Sequence, residues 1–123
     1  MERYLPSPEL LHKILRYNPK TGLFTFKPRP ASMFFLYEDP NKMHEIWTRR
    51  FKNKKPFVLT EDGHLIGYLF FHPVFDQEYN AHDVAAAMFR GRWTDETEVV
   101  CHNNSNKSDN RAVNLRIKKV TTQ

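Results

Sequence analysis

The residues best suited to chemistry lie near the end of the chain, where a histidine follows an apolar segment typical of a strand. His102 comes directly after residues 99–101, small polar residues occupy positions 103–110, and Asn114 stands between two apolar neighbours. Hydrolysis of a phosphodiester needs a base that deprotonates water and a cation that neutralises the pentacoordinate phosphate. One histidine and one hard metal ion are sufficient for that reaction, so this segment is the first candidate for a functional site.

The elements that must position this segment begin with a short helix. Ser7-Pro8 is typical of a helix start, because serine can cap the first amide groups and proline fits the first turn. Pro19 disfavours helical geometry before it, so we expect this helix to end near Tyr17. Residues 23–26 are predicted to form a strand with aromatic side chains on one face.

Two further helices and two strands are predicted after this opening. Asp39-Pro40 can start a helix that turns Trp47 inward, and residues 81–90 form an alanine-rich helix with Gly91 as its C-cap. Residues 57–59 and 65–71 are rich in residue types that favour sheets. The apolar residues from Met33 to Tyr37 show no clear period and are expected in the core or at an interface.

Composition and charge limit the classes of function. The 123 residues suffice for one domain with a single core, and no apolar run approaches the ~18 residues of a membrane span. The formal net charge of +5 favours DNA or RNA over a membrane surface. The N-terminus lacks the layout of a secretory signal, and the lone Cys101 cannot form an intrachain disulfide, which fits a cytoplasmic location.

Positive charges cluster after Trp47 and beside Phe51. This cluster could contact phosphates, or it could be a solvated helix end whose cations complement the helix dipole. Both interpretations stay open. Its members are Arg49, Arg50, Lys52, Lys54 and Lys55.

The motif His102-x-Asn104 followed by Asp109-Asn110-Arg111-x-x-Asn114-Leu115-Arg116 resembles the HNH endonuclease family of the phage and homing type, which carries a ββα-metal finger. The opening Tyr-Asn-Pro-x-Thr-Gly-x-Phe-x-Phe-Lys and the segment around His82 and Trp93 are similar to other parts of that family. The resemblance implies an α+β fold: a small mixed domain with an N-terminal helix and short antiparallel strands that lead to a C-terminal finger at about 98–123. We expect residues 1–123 to form a single domain.

The resemblance also implies roles for individual residues. His102 would be the general base and Asn114 would orient its ring. The two metal-ligand positions of the family fall on Cys101 and Gln123, which ends a final helix expected from about Ile117. Mg²⁺ prefers oxygen ligands, so a thiol at Cys101 should abolish ordinary Mg²⁺ chemistry, and no cofactor is expected.

Several residues keep alternative interpretations. Asp109 and Asn110 can turn the backbone, while Arg111 and Arg116 can pair with carboxylates or phosphates. Zinc is disfavoured because one cysteine with scattered histidines lacks a zinc spacing. Among those histidines only His82 lies at a family position, and Asp83 after it replaces the usual arginine.

Two functions therefore remain, and we favour the one that is not an enzyme. The first is a catalytically degenerate, phage-type binder that occupies DNA or inhibits a host nucleic-acid-processing or defence complex, for example as an anti-CRISPR-type inhibitor. The alternative is an active metal-dependent endonuclease or nickase that uses His102, Asn114 and Mg²⁺ or another divalent ion. In either case we expect DNA or partner contacts from Arg49, Arg50, Lys52, Lys54, Lys55, Arg111 and Arg116.

Overall fold

The first elements follow from local sequence signals, in a computed structural model that describes residues 4–70 and 77–120. Helix α1 spans Pro8–Ile14, and the side chain of Ser7 caps it by accepting a hydrogen bond from the Leu10 amide. The helix ends earlier than predicted because Leu15–Tyr17 forms strand β1. This strand pairs antiparallel with β2 (Phe24–Phe26), and that pairing draws its backbone out of the helix.

Helix α2 spans Pro40–Phe51, as the capping signal predicted. The side chain of Asp39 accepts a hydrogen bond from the Lys42 amide at 3.2 Å, and Trp47 is buried. A 3-10 helix at Ala31–Phe34 precedes it. The apolar run without a clear period divides between core and surface: Phe34 is buried, whereas Phe35 is 72% exposed.

Shortly after β2, Arg29 is a buried cation that the sequence did not reveal. Its guanidinium donates hydrogen bonds to the carbonyl groups of Leu69 and Phe70, and it lies 4.4 Å from the centroid of the Trp47 ring. These contacts compensate for the loss of water around the charge. Arg29 thereby links Leu69 and Phe70 to Trp47 in α2.

The central sheet contains three antiparallel strands in sequential order. Strands β3 (Phe57–Leu59), β4 (Leu65–Tyr68) and β5 (Glu78–Asn80) pair as neighbours. Strand β4 ends at Tyr68, short of the predicted end at Phe71, and Phe71 itself lies outside the described residues. Strand β5 leads directly into the third helix.

Helix α3 (Ala81–Arg90) is the centre of the core. Its small side chains allow α1 and both neighbouring sheets to approach closely, and Gly91 ends it with a φ of 79°, as the C-cap prediction requires. The residues of α3 that are buried are Ala81, Val84, Ala85, Ala86, Ala87 and Met88.

A hairpin of β6 (Glu98–His102) and β7 (Leu115–Lys119) closes the described chain. The predicted final helix from about Ile117 is wrong, because β7 stays paired with β6 as far as Lys119 and the Val120 amide then donates to the Thr97 carbonyl. The position of Gln123 lies outside the described residues. The α+β fold class is confirmed by this arrangement of helices and antiparallel strands.

The buried side chains form one hydrophobic cluster. It runs from Leu11 and Ile14 in α1 through Phe26, Trp47 and the α3 face to Leu115 at the start of β7. No helix in residues 4–70 or 77–120 has the length and apolar character to cross a membrane.

Candidate functional site

The β6–β7 hairpin places His102 where a long loop begins. His102 is the last residue of β6 and pairs with Leu115, while Cys101 pairs with Arg116. Residues 103–114 therefore leave the sheet at the histidine and return to it directly after Asn114. We call residues 103–114 the finger loop.

Asn114 holds the finger loop together from the inside. Its buried side chain accepts a hydrogen bond from the Asn104 amide (3.1 Å) and donates to the side-chain oxygen of Asn104 (3.0 Å) and to the Asp109 carbonyl (2.8 Å). The resemblance assigned Asn114 to the His102 ring. In the structure, its side-chain amide hydrogen-bonds to Asn104 and Asp109 of the finger loop instead.

The ring of His102 is held by Asn110. The His102 Nε2 donates to Asn110 Oδ1 at 2.9 Å, and Asn110 is only 1% exposed. In the neutral tautomer that donates from Nε2 to this oxygen, Nδ1 carries the lone pair that a general base requires. The role was not predicted from the sequence, because Asn110 sits in a run of polar residues that local turn chemistry also explains.

Asp109 and Arg111 form an ion pair within the finger loop. This agrees with the alternative interpretation of Asp109 as a residue of the backbone turn. Arg111 donates to both carboxylate oxygens of Asp109 at 2.8 and 2.7 Å, and Asn104 donates to the same carboxylate at 3.0 Å. The Arg111 side chain holds the pKa of Asp109 far below its usual range. Much of the Arg111 charge is therefore neutralised inside the molecule.

The turn between β1 and β2 supports the finger loop from outside. The Tyr17 hydroxyl donates to the Asn110 carbonyl at 2.6 Å, and the Ala112 amide donates to the Pro19 carbonyl at 2.9 Å. Burial, with a smaller effect of Asp109, raises the pKa of Tyr17 to about 12, so the phenol stays protonated and able to donate. Gly22 completes the contact, because a Cβ there would lie 2.6 Å from the Arg111 amide nitrogen.

Two more histidines lie beside His102. The ring centroid of His82 is 5.2 Å from that of His102, and His64 is 5.5 Å from His82. Burial lowers the pKa of His82; Asp83, 3.6 Å from its Nε2, opposes the shift, while His102 and His64 add to it. His82 was singled out in the sequence, but nothing in the spacing of His64 pointed to this cluster.

The position before His102 does not fit the hard metal ion of the resembled family. Cys101 offers sulfur where that family has a carboxylate, and Mg²⁺ gains little from a thiol. Within residues 4–70 and 77–120, no group of three or more His, Cys, Asp or Glu side chains has its donor atoms arranged to hold a metal ion. Cys101 therefore supplies no oxygen ligand at that position, and the other family position, Gln123, lies outside the described residues.

The predicted cationic residues lie on two parts of the molecule. Arg49 is 3.5 Å from Glu45 on the exposed face of α2, and Arg116 is exposed on β7. Lys55 lines a cavity with Gly22 and Leu23, so this basic segment adjoins the turn that supports the finger loop. The remaining members, Arg50, Lys52 and Lys54, are exposed near the end of α2.

Comparison with protein families gives one match for the region just described. A family model described as HNH endonuclease matches residues 79–121, from β5 through the finger loop and β7. No solved structure matches the chain.

Proposed function

We propose that this protein, whose residues 79–121 match a family model described as HNH endonuclease, is a phage-type, nuclease-derived binder that has lost Mg²⁺-dependent cleavage. The match supports a nucleic-acid-related function. The proposal adds that the protein occupies DNA or inhibits a host nucleic-acid-processing or defence complex. The observation that carries it is a thiol, Cys101, directly before the histidine that the hairpin presents.

The hydrogen bonds of the finger loop support the proposal that the protein keeps its fold while the cleavage reaction is lost. The side chains of Asn114, Asn104 and Asp109 hydrogen-bond within the finger loop and so support its fold through groups of the protein itself. Loss of one ligand weakens the binding of the ion that neutralises the pentacoordinate phosphate, and metal-assisted hydrolysis depends on that ion. Binding through exposed cations does not depend on that ion.

The experiment is plasmid nicking in Mg²⁺ and in Mn²⁺ by the wild type and by Cys101→Asp, with DNA binding measured by fluorescence anisotropy on the same samples. We expect the wild type to bind without cutting. The control is the double variant Cys101→Asp/His102→Ala, which adds the carboxylate but lacks the base. Wild-type nicking that disappears in His102→Ala would overturn the proposal.

An active nuclease remains the second candidate, because the orientation of His102 favours it. Asn110 holds Nε2 and leaves Nδ1 able to take a proton. In that case Mg²⁺ or another divalent ion would be the cofactor, and the reaction would be hydrolysis of a DNA strand. The nicking experiment separates the two candidates directly.

The partner can be DNA or a protein complex, and each has a feature in its favour. The basic segment at 49–55 favours DNA, whereas the exposed side chains of Phe35 and Leu36 favour contact with a protein. DNA binding through phosphates weakens steeply with salt, while binding to a protein need not. A titration at several salt concentrations therefore distinguishes them.

A further inference from the structure

Strand β3 leaves one side of the central sheet open. It is the first strand in the order of that sheet, and within residues 4–70 and 77–120 it pairs with β4 alone. Val58 and Leu59 are each 65% exposed, and β3 carries no charged side chain. An open edge can accept a further strand, and proteins usually protect it with charges, a bulge or a covering element. The apolar edge of β3 is therefore suited to pairing with another strand.

The backbone of β3 fixes which groups face the open side. The Thr60 amide donates to the His64 carbonyl at 2.8 Å, so these two residues continue the β3–β4 register as a hydrogen-bonded pair. Hydrogen-bonded and non-hydrogen-bonded pairs alternate along an antiparallel ladder. Val58 therefore bonds to β4, while the N–H and C=O groups of Phe57 and Leu59 face the open side.

We propose that β3 pairs antiparallel with β3 of a second copy of this chain, about a two-fold axis at Val58. The charges that flank the strand select this partner. Lys55 lies three residues before Val58 and Glu61 three residues after it, so this pairing puts Lys55 of each copy opposite Glu61 of the other. Lys54 and Asp62 have the same relation, four residues before and after Val58. A two-fold interface must be complementary to itself, and cations before the strand with anions after it meet that requirement.

The charged side chains of the proposed pair are available for contact with a second copy. Lys55 and Glu61 are exposed, and neither forms an ion pair with any of the described residues. Asp62 already lies 3.1 Å from a histidine of its own turn, so Glu61 supplies the main carboxylate. A shift of the axis by one residue along β3 would put Lys55 opposite Leu59 or Gly63 and would lose the match of charges.

The same register brings exposed apolar side chains together. Val58 of each copy faces Val58 of the other in a non-hydrogen-bonded pair, where strands bring side chains closest. Leu59 of one copy lies opposite Phe57 of the other, and directly opposite residues share a face of the sheet. On that face a shallow hollow of about 120 Å³ adjoins Phe57 and is lined by Leu23 and Leu65. The pairing would therefore place Leu59 of the second copy against an apolar surface.

The test is sedimentation velocity of the full chain without DNA, over a micromolar range of concentrations. We expect the wild type to show an equilibrium between monomer and dimer. Val58→Lys should weaken self-association more than about tenfold, because two like charges would face each other across the axis. The matched control is Val99→Lys, which makes the same change at an exposed valine of β6 and should associate like the wild type.

An exchange of charges tests the register itself. Lys55→Glu alone should weaken the dimer about tenfold, because a carboxylate would then face Glu61 of the other copy at both ends of the paired strands. The double variant Lys55→Glu/Glu61→Lys should recover the association of the wild type, since opposite charges face each other again. It also keeps the net charge of the wild type, so its recovery would not come from a change in overall repulsion between copies.

The proposal fails if the wild type stays monomeric over this range, which would leave the open edge to a strand of a different protein. It also fails if Val58→Lys associates as strongly as the wild type, or if the double variant associates no better than Lys55→Glu. Circular dichroism of each variant checks that the fold is retained. The measurement needs neither DNA nor cleavage, so its failure is distinct from failure of the proposed function.

Discussion

At the scale of single residues, two buried asparagines of the finger loop have different roles. Asn114 ties the loop backbone and Asn110 holds the ring of His102. Both are buried, and each side chain has an oxygen and an NH₂ group to offer. Family resemblance assigned Asn114 to the His102 ring, whereas in the structure its amide donates to Asn104 and to the Asp109 carbonyl.

A glycine decides how closely the β1–β2 turn approaches this loop. Gly22 has a φ of +76° and a Cβ there would lie 2.6 Å from the Arg111 amide nitrogen, so Gly22→Ala should destabilise the fold by more than ~2 kcal/mol. Gly63→Ala is the control, because φ is +91° with no atom within 4 Å, and strain alone should cost about 1 kcal/mol. Urea unfolding measures both. Equal losses of stability would mean that the approach of Gly22 to the loop is unimportant.

At the scale of elements, Glu98 joins the end of α3 to the hairpin. Glu98 is buried, and its carboxylate accepts two hydrogen bonds from Arg92 at 3.0 and 3.1 Å. Arg90 and Lys119 lie 3.7 and 3.8 Å away. One carboxylate thus fixes the first residue of β6 against α3 and β7, which sets the direction in which the strand delivers His102.

This ion cluster should make stability depend on pH. Hydrogen bonds from Arg92 and from the Asp95 amide lower the pKa of Glu98 from 4.5 to about 2. The folded state therefore gains stability from Glu98 above pH ~4.5 and loses it as the pH falls towards 2. We expect Glu98→Gln to be less stable than the wild type at pH 7, and the difference to shrink between pH 4.5 and 2 in thermal unfolding.

The control for that measurement is Glu96→Gln, which changes an exposed carboxylate just before β6. It should shift the unfolding temperature little at any pH. A difference between Glu98→Gln and the wild type that stays constant from pH 7 to 2 would contradict the assignment of this linkage to Glu98.

At the scale of the whole molecule, distant segments converge on the finger. Strand β1 supplies the Tyr17 hydroxyl, the turn before β4 supplies His64, and α3 supplies His82. The basic segment at 49–55 borders the turn between β1 and β2 through Lys55 and Gly22. Part of the positive charge of the molecule, whose net charge is +5, therefore lies on the basic segment next to the candidate site.

If DNA is the partner, this surface should account for part of the salt dependence. Lys52→Gln/Lys55→Gln should weaken DNA binding and reduce the slope of log K against log salt by about 0.9 for each phosphate that the protein no longer neutralises. Lys13→Gln/Lys42→Gln carries the same change in net charge at exposed positions on α1 and at the opposite end of α2. Anisotropy titrations at several salt concentrations provide the measurement, and equal slopes for the two double variants would rule out a specific role for Lys52 and Lys55.

Local signals in the sequence were sufficient for most helices and strands. Ser7, Asp39 and Gly91 mark ends of α1, α2 and α3 because capping depends on neighbouring residues only. The final helix, which the resemblance implied, was predicted wrongly, because residues 115–119 pair with β6 across the hairpin.

The sequence by itself, through its resemblance to the HNH family, therefore predicted the class of fold and the position of the finger. It also placed a thiol at Cys101, because that depends on residue identity alone. Only the tertiary structure decided that Asn110 holds His102, that Gly22 meets the loop and that His64 and His82 lie beside it. These contacts join residues far apart in the chain, and their distances follow from how α3 and the sheets pack.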